Sequence, residues 1–118
     1  MRTLTSHKVN ECNESLDIFV ADEPGQGGAC HEYRVEHPNR QIASISFQNG
    51  PIKEVGVNGV TQEALLAIVE DRLICFQVGP YACRENAVAL TKIQEAMMWL
   101  QKRTRDRIAR GVEGTHEK

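Results

Sequence analysis

The sequence predicts an α+β fold: a small N-terminal antiparallel β-sheet followed by a helical hairpin with a long C-terminal helix. Two observations predict this order. Before residue 59, apolar residues alternate with polar ones in three short runs, which is the period of a strand with one exposed face. From residue 61 onward, apolar residues recur at steps of three and four, which is the period of a helix.

Length and composition bound the number of domains. The chain has 118 residues, of which 41% are hydrophobic and 25% charged, and its formal net charge is −2. These values are typical of one ordinary globular domain. We therefore expect a single domain over residues 1–118, made of a β-rich part (1–58), a helical hairpin (60–111) and a C-terminal tail (112–118).

The three alternating runs are expected to form strands around residues 16–20, 33–35 and 45–47. Turn-forming sequences lie between and after them, namely EPGQGG at 23–28, HPN at 37–39 and NGP at 49–51. Short connections of this kind favour an antiparallel sheet. The glycines of the first turn lack the G-x-G-x-x-G spacing of a dinucleotide-binding loop, so we interpret it as a surface turn.

The first helix is expected to begin after Thr61, a suitable N-cap residue, and to end at Gly79 and Pro80. Its apolar residues are expected to fall on one stripe. The stripe consists of Leu65, Ile68, Val69, Leu73 and Phe76.

The second helix is expected to run from about Ala82 to Gly111 without an internal proline or glycine. Its apolar stripe consists of Ala87, Leu90, Ile93, Met97 and Leu100. About 29 residues rise about 43 Å in a helix, whereas the radius of a compact chain of this size is about 13 to 14 Å. A helix of this length must either project from the compact part of the chain or pack against another helix. The same helix in a second copy is the simplest partner, so we expect a homodimer about a two-fold axis.

Cysteine spacing and hydropathy exclude several classes of protein. The four cysteines contain no C-x-x-C pair, and the histidines do not complete a zinc-binding spacing. We interpret the cysteines as reduced thiols and expect neither a metal nor a cofactor.

No stretch approaches about 18 consecutive apolar residues, and the N-terminus lacks an apolar signal core. We therefore expect no membrane association and a cytoplasmic location.

Charge is distributed unevenly along the chain. Residues 1–36 contain seven acidic and three basic side chains, whereas residues 84–110 contain seven basic and three acidic ones. The densest basic stretch, KRTRDRIAR at 102–110, has five cations and one anion in nine positions. Such a stretch attracts phosphate groups, but cations in a last helical turn also stabilise the helix through its dipole. Composition alone leaves both interpretations open.

Three motifs resemble one known family. They are FQNGPIKEVGVNG (47–59), FQVGPYACREN (76–86), and RTRDR (103–107) followed by GVEGTH (111–116). In this order they are similar to the phage anti-Thoeris sponge family over about residues 45–117. The resemblance implies a small β-rich part followed by a helical hairpin that carries dimer contacts and ligand binding.

The same resemblance implies a function. The family sequesters cyclic ADP-ribose isomers such as glycocyclic ADP-ribose, the signals made by bacterial TIR-domain enzymes, and does not degrade them. It acts in the cytoplasm of the infected bacterial host. Some members also bind cyclic oligonucleotides of the CBASS pathway, which are cyclic di- or trinucleotides. The family suggests hexamers as well as dimers.

The resemblance also implies four ligand-binding residues: Phe76, Asn86, Arg103 and Arg107. An aromatic ring can stack on adenine, an amide can pair with a base or ribose edge, and two guanidinium groups can bind a pyrophosphate. Arg103 and Arg107 are four residues apart and share one helix face. Asn86 and Arg107 are 21 positions apart, or about 31 Å along one helix. If both bind one ligand, they come from two antiparallel chains, which gives two equal pockets per dimer.

Each of these residues also has an ordinary structural interpretation. Phe76 continues the apolar stripe of the first helix, and Asn86 is a polar residue beside a helix cap. The two arginines could pair with Glu113 or with acidic residues of a neighbour, and exposed pairs of that kind stabilise little. The Met97-Met98-Trp99 run is interpreted as a dimer seam rather than a base-stacking platform.

Catalysis is not expected, because the sequence supplies no convincing carboxylate pair, metal cluster or activated nucleophile. Glu85, the carboxylate nearest in sequence to the expected pocket, is explained by its favourable place in a first helical turn. The alternative function is a small nucleic-acid-binding dimer. Its basic helix supports that alternative, and the net charge of −2 opposes it.

Overall fold

The computed structural model describes all of residues 1–118 and confirms the α+β fold. Two compact units are present. The sheet unit comprises residues 1–50 and 57–60, and the helical unit comprises residues 51–56 and 61–118. The strands are β1 (Arg2–Leu4), β2 (Asp17–Val20), β3 (Glu32–His37) and β4 (Arg40–Ser46). The helices are α1 (Glu11–Glu14), α2 (Ile52–Val55), α3 (Gln62–Val78) and α4 (Arg84–Ala109). The single domain expected from the sequence stays a prediction.

The sheet unit is a four-stranded antiparallel meander in the order β1-β2-β3-β4. Val20 is fully buried on one face of the sheet. Its cross-strand neighbour Tyr33 pairs in turn with Ile45, and the Tyr33 ring meets Phe47 edge-on at 5.5 Å between centroids. The small core of this unit therefore forms from the inward-facing positions of the three expected strands.

Two features of the sheet unit differ from the sequence expectation. Phe47 does not extend the last strand, because β4 ends at Ser46 and Phe47 forms an isolated parallel bridge with Val60. The short strand β1 and the single-turn helix α1 were not expected. Leu4 is the one apolar residue of β1, and α1 depends on a cap in which the Asn10 side chain accepts a hydrogen bond from the Asn13 backbone N–H. Elements this short leave no periodic pattern.

The bridge at Phe47 brings two backbone segments into close contact. Gln48 N–H donates to Val60 O at 2.8 Å, and Val60 N–H donates to Ser46 O at 2.9 Å. A Cβ on Gly59 would lie 2.4 Å from the Phe47 carbonyl carbon. Glycine is therefore required at position 59 by close backbone approach rather than by a positive φ.

Asp22 organises the loop between β2 and β3. Its carboxylate accepts hydrogen bonds from the backbone N–H of His31 at 2.9 Å and of Glu32 at 3.1 Å, and His31 Nδ1 lies 3.7 Å from Asp22 Oδ2. Desolvation alone would raise the pKa of the Asp22 carboxyl. The hydrogen bonds from Glu32 and His31, together with the nearby imidazole, outweigh that effect and lower the pKa below its ordinary value.

The helical unit follows the predicted boundaries closely. Thr61 is the N-cap of α3, because its side chain accepts a hydrogen bond from Ala64 N–H at 3.1 Å. The Cys83 sulfur caps α4 in the same way by accepting from Asn86 N–H at 3.4 Å. With 26 residues, α4 is about 39 Å long. None of the helices has the length and apolar content needed to cross a membrane.

The packed face of α4 is the one predicted, and that of α3 is only partly so. Helix α4 packs against α3, and its residues Leu90, Ile93, Met97 and Leu100 are half-buried. On α3, however, Ile68 is 67% exposed and Val69 is 44% exposed, whereas Leu65, Leu66, Leu73 and Phe76 are half-buried. Ile68 and Val69 of the expected stripe are therefore not covered within one chain, because α3 carries apolar residues around most of its circumference and α4 covers only part of them.

The lowered pKa of Asp22 predicts a dependence of stability on pH. An aspartate with a folded-state pKa below its unfolded value of about 3.9 stabilises the fold above that pH, and this stabilisation is lost as the pH falls through the folded pKa. We expect Asp22→Asn to lower the Tm at pH 7 and to flatten the fall in Tm between about pH 5 and pH 2.

Glu23→Gln provides the matched control, since Glu23 is the neighbouring exposed acid. Thermal unfolding followed by circular dichroism at a series of pH values tests the prediction. Parallel Tm curves for the unmodified protein and Asp22→Asn would contradict it.

Candidate anion-binding site

A cationic cleft lies along the last turns of α4. Its volume is about 290 Å³, near the lower end of the range of small-molecule sites, about 300 to 1,000 Å³. Its lining consists of Trp99, Lys102, Arg103, Asp106, Arg107, Arg110 and Lys118. Five of these side chains are cationic and one is anionic, so the cleft favours an anionic ligand.

Helix geometry explains why these side chains meet. Trp99, Arg103, Arg107 and Arg110 are separated by steps of four, four and three residues, which places them on one side of α4. The single carboxylate of the cleft belongs to Asp106, and Lys102 Nζ lies 2.7 Å from its Oδ2. This exposed pair stabilises little, but it neutralises the acid and leaves the cleft with excess positive charge.

The two arginines implied by the family resemblance have different environments. Arg103 is exposed, whereas Arg107 is 6% exposed and is the buried charged residue of the chain. The half-buried face of α4 continues from Leu100 through Thr104 to Arg107. The structure therefore brings both arginines to one cleft but buries one of them.

The guanidinium of Arg107 holds the chain that follows α4. Its Nη2 donates to Val112 O at 3.0 Å and to Thr115 O at 3.2 Å, and its Nη1 donates to Glu117 O. Its Nε lies 3.5 Å from Glu113 Oε2. The pairing of an arginine with Glu113, one of the two interpretations that the sequence left open, is therefore present at Arg107.

Phe76 and Asn86 lie at the other end of the helical hairpin. Phe76 is half-buried in the last turn of α3, and the Arg72 guanidinium carbon lies 5.0 Å from its ring centroid, within the range of a cation–π interaction. Asn86 is half-buried in the first turn of α4, where its backbone N–H binds the Cys83 cap. Phe76 and Asn86 thus occupy the facing ends of the two helices at their connection.

One chain does not bring all four candidate residues together. Asn86 and Arg107 lie on the same uninterrupted helix, and their separation of 21 residues corresponds to about 31 Å. Within one chain Arg103 and Arg107 therefore share one cleft, whereas Phe76 and Asn86 lie at the other end of the hairpin.

Sequence reasoning missed several residues near the candidate site. Trp99 lines the cleft and is 59% exposed, a place that its interpretation as part of a dimer seam did not indicate; that interpretation stays a prediction. The spacing from Trp99 to Arg110 was the signal that could have revealed this stripe. The four-residue step from Arg72 to Phe76 could likewise have indicated their contact. Nothing in the sequence pattern indicated that Lys118 returns to the cleft.

Comparisons with known proteins address the family directly. Residues 40–105 match the family model described as Acb2/Tad1, hairpin domain. A protein of Bacillus phage SBSphiJ7 named Thoeris anti-defense 1 is 51% identical over 94 residues, which cover 80% of this chain and 66% of that relative. The match thus spans just under two thirds of the relative's length. The family-model match includes Phe76, Asn86 and Arg103 and ends before Arg107.

The family model covers more than half of this chain, and the phage relative matches it at high identity over most of its length. The resemblance drawn from the three sequence motifs is thereby confirmed, and the chain belongs to the Acb2/Tad1 hairpin-domain family.

Proposed function

We propose that this protein opposes Thoeris immunity by binding and sequestering cyclic ADP-ribose isomers, glycocyclic ADP-ribose among them, in the cytoplasm of the infected bacterial host. The exposed cationic cleft around Arg103 is the observation that carries the proposal. The name of the phage relative, Thoeris anti-defense 1, supports the biological setting.

The chemistry of the cleft suits a cyclic nucleotide with a pyrophosphate. Such a ligand presents two negative charges close together, and exposed guanidinium groups bind phosphate oxygens in a bidentate geometry. Arg103 supplies this group, and Trp99 lies beside it in the same cleft. In the proposed site the Phe76 ring stacks on the adenine and the Asn86 amide binds a base or ribose edge.

Binding without cleavage is favoured by the residues of the cleft. Hydrolysis of a phosphodiester or glycosidic bond requires a pair of carboxylates, a metal or an activated nucleophile. The single carboxylate in the cleft, Asp106, is paired with Lys102. We therefore propose a non-enzymatic role.

A complete site requires two copies of the chain in this proposal. The long helices of a homodimer pack antiparallel, so that Phe76 and Asn86 of one copy face Arg103 and Arg107 of the other. Two equal pockets result. Apolar side chains exposed on α3 and α4 supply surface for such a contact; they are Ile68, Val69, Ile74, Val78, Val88 and Met98.

Sequestration works by mass action. Free signal is removed only when the sites are at least as numerous as the signal molecules and the Kd lies well below the concentration that activates the defence. Slow release favours this outcome more than fast capture. A ligand enclosed between two chains, with its phosphates bound and its base stacked, is expected to dissociate slowly.

Assembly into hexamers and binding of CBASS cyclic di- or trinucleotides are further properties that the family suggests.

The first prediction concerns the fate of the ligand. After incubation with the product mixture of an activated TIR-domain enzyme, native mass spectrometry is expected to detect a dimer or larger assembly with one ligand per chain. Heat denaturation should then release an intact cyclic ADP-ribose isomer. Release of a linear or cleaved product would assign the protein to the enzymes instead. Absence of any bound mass would contradict the proposal and leave nucleic-acid binding as the next function to test.

The second prediction concerns Arg103. We expect Arg103→Ala to weaken binding of a cyclic ADP-ribose isomer by about 1.5 to 3 kcal/mol, because it removes charged hydrogen bonds to phosphate. Arg105→Ala is the matched control, since Arg105 is exposed and lies two residues away, about 200° around the helix. Isothermal titration calorimetry measures both. Equal losses for the two variants would indicate nonspecific attraction by the basic helix, and no loss for Arg103→Ala would rule out the cleft.

The third prediction concerns the shared site. Asn86→Ala and Arg103→Ala homodimers each carry two defective sites. When the two variants are co-expressed, half of the dimers are mixed, and each mixed dimer has one site built from two unchanged halves. We therefore expect tight binding to return at about a quarter of all sites.

The control is co-expression of Asn86→Ala with Phe76→Ala. Both changes affect the same half of the site, so no mixed dimer contains an intact pocket, and no recovery is expected. Titration of active sites by calorimetry distinguishes the two mixtures. Failure of the Asn86→Ala and Arg103→Ala mixture to recover any tight site would contradict an interface pocket.

A further inference from the structure

We infer that Asn49 is a site of spontaneous deamidation, in which water converts the side-chain amide to a carboxylate, and that the Asn58 side chain slows this reaction. Two asparagines of the chain precede a glycine, namely Asn49 before Gly50 and Asn58 before Gly59. Both pairs belong to the sheet unit. Neither pair contributes a residue to the cationic cleft, so the modification does not depend on the proposed ligand.

Deamidation of asparagine requires a nucleophile beside the side-chain amide. The backbone nitrogen of the following residue loses its proton and attacks Cγ of the asparagine. A C–N bond forms, the Cγ–Nδ2 bond breaks, and ammonia leaves with a proton from water. A second water molecule then opens the succinimide ring at either of its two carbonyl carbons, which gives aspartate or isoaspartate without any oxidant or reductant. A following glycine favours ring closure, because it has no Cβ to obstruct the approach.

The Asn58 side chain is held at both ends of its amide. Its Oδ1 accepts a hydrogen bond from Asn49 N–H at 2.8 Å, and its Nδ2 donates to Asn49 O at 2.7 Å. The Asn58 backbone is fixed as well, since its N–H donates to Gln48 Oε1 at 2.9 Å. The nucleophile of this pair belongs to Gly59, which packs closely against the backbone of Phe47. Ring closure at Asn58 must therefore break both hydrogen bonds of its amide and disturb this packing.

Asn49 lacks such a restraint on its side chain. Its hydrogen bonds to Asn58 use its backbone N–H and carbonyl groups, and the residue is exposed. Gly50, which supplies the nucleophile, is exposed too and has a φ of 94°. Ring closure turns the Asn49 carbonyl group, so it must break the bond from Asn58 Nδ2. The structure thus leaves one Asn-Gly pair open to reaction, and the side chain of the other pair restrains it.

Peptide mapping distinguishes the two asparagines. Trypsin cleaves after Lys53, which places Asn49 in the peptide 41–53 and Asn58 in the peptide 54–72. During incubation of the native protein at mildly alkaline pH, we expect Asn49 to deamidate about tenfold faster than Asn58. The reason is that reaction at Asn58 breaks one more hydrogen bond and moves a packed glycine. Mass spectrometry with fragmentation measures both sites. Equal rates, or a faster rate at Asn58, would overturn the inference.

Incubation in concentrated guanidinium chloride provides the control for intrinsic reactivity. Both asparagines precede glycine, so the two sites are expected to react at similar rates once the fold is lost. A difference as large as the one in the native protein would show that local sequence distinguishes the sites. That result would also overturn the inference.

Variants at position 58 test the restraint. Asn58→Ala removes the bond to the Asn49 carbonyl group, and Asn58→Asp removes the same donor while it keeps nearly the same shape. Each is expected to speed deamidation at Asn49 by about threefold to tenfold. Asn39→Ala is the matched control, because Asn39 is an exposed asparagine in another turn of the sheet unit, and it should leave the rate unchanged. Thermal unfolding verifies that each variant is folded. An unchanged rate in either folded variant at position 58 would overturn the restraint.

Asn49→Ala tests the reverse direction. The two groups that hold the Asn58 amide belong to the backbone of residue 49, so this variant keeps them. We therefore expect Asn58 to deamidate as slowly in Asn49→Ala as in the unmodified protein. Rapid deamidation of Asn58 in the folded variant would show that the backbone bonds do not protect it, and would contradict the inference.

Discussion

The uninterrupted length of α4 is the constraint on which the helical unit depends. The helix has 26 residues with no internal proline or glycine, so it behaves as one stiff element. It is capped at its start by Cys83 and followed at its end by Gly111, whose φ is 74°. The same rigidity keeps the amide of Asn86 and the guanidinium group of Arg107 about 31 Å apart. Any ligand that contacts both ends must therefore be shared between molecules.

Much of the fold could be predicted from the sequence where a long periodic pattern meets a recognisable cap. Thr61 and the apolar stripe from Leu90 to Leu100 fixed the two long helices to within a few residues. The short elements β1, α1 and α2 could not be predicted, because they are stabilised by pairing and caps rather than by periodicity. The exposed face of α3 was also unpredictable, since apolar residues surround that helix and only its neighbours decide which are covered.

The sequence predicted the position of the two arginines of the candidate site but not the burial of one of them. Spacing of four residues places Arg103 and Arg107 on one helix face, and the structure places both in one cleft. The burial of Arg107 could not be foreseen, because its partners are mainly backbone carbonyl groups. Every residue has a carbonyl, so such partners leave no signature in the order of side chains. Here a structure adds what a motif cannot, namely which of two equivalent arginines is exposed.

Trp99 gives this protein an intrinsic optical property. It is the single tryptophan of the chain, and it is exposed at the cleft rather than buried in a core. Indole emission depends on the polarity of its surroundings and is quenched by stacked bases. All tryptophan fluorescence of the unlabelled protein therefore originates at the candidate site. Occupancy of that site can be followed in real time without attaching a dye.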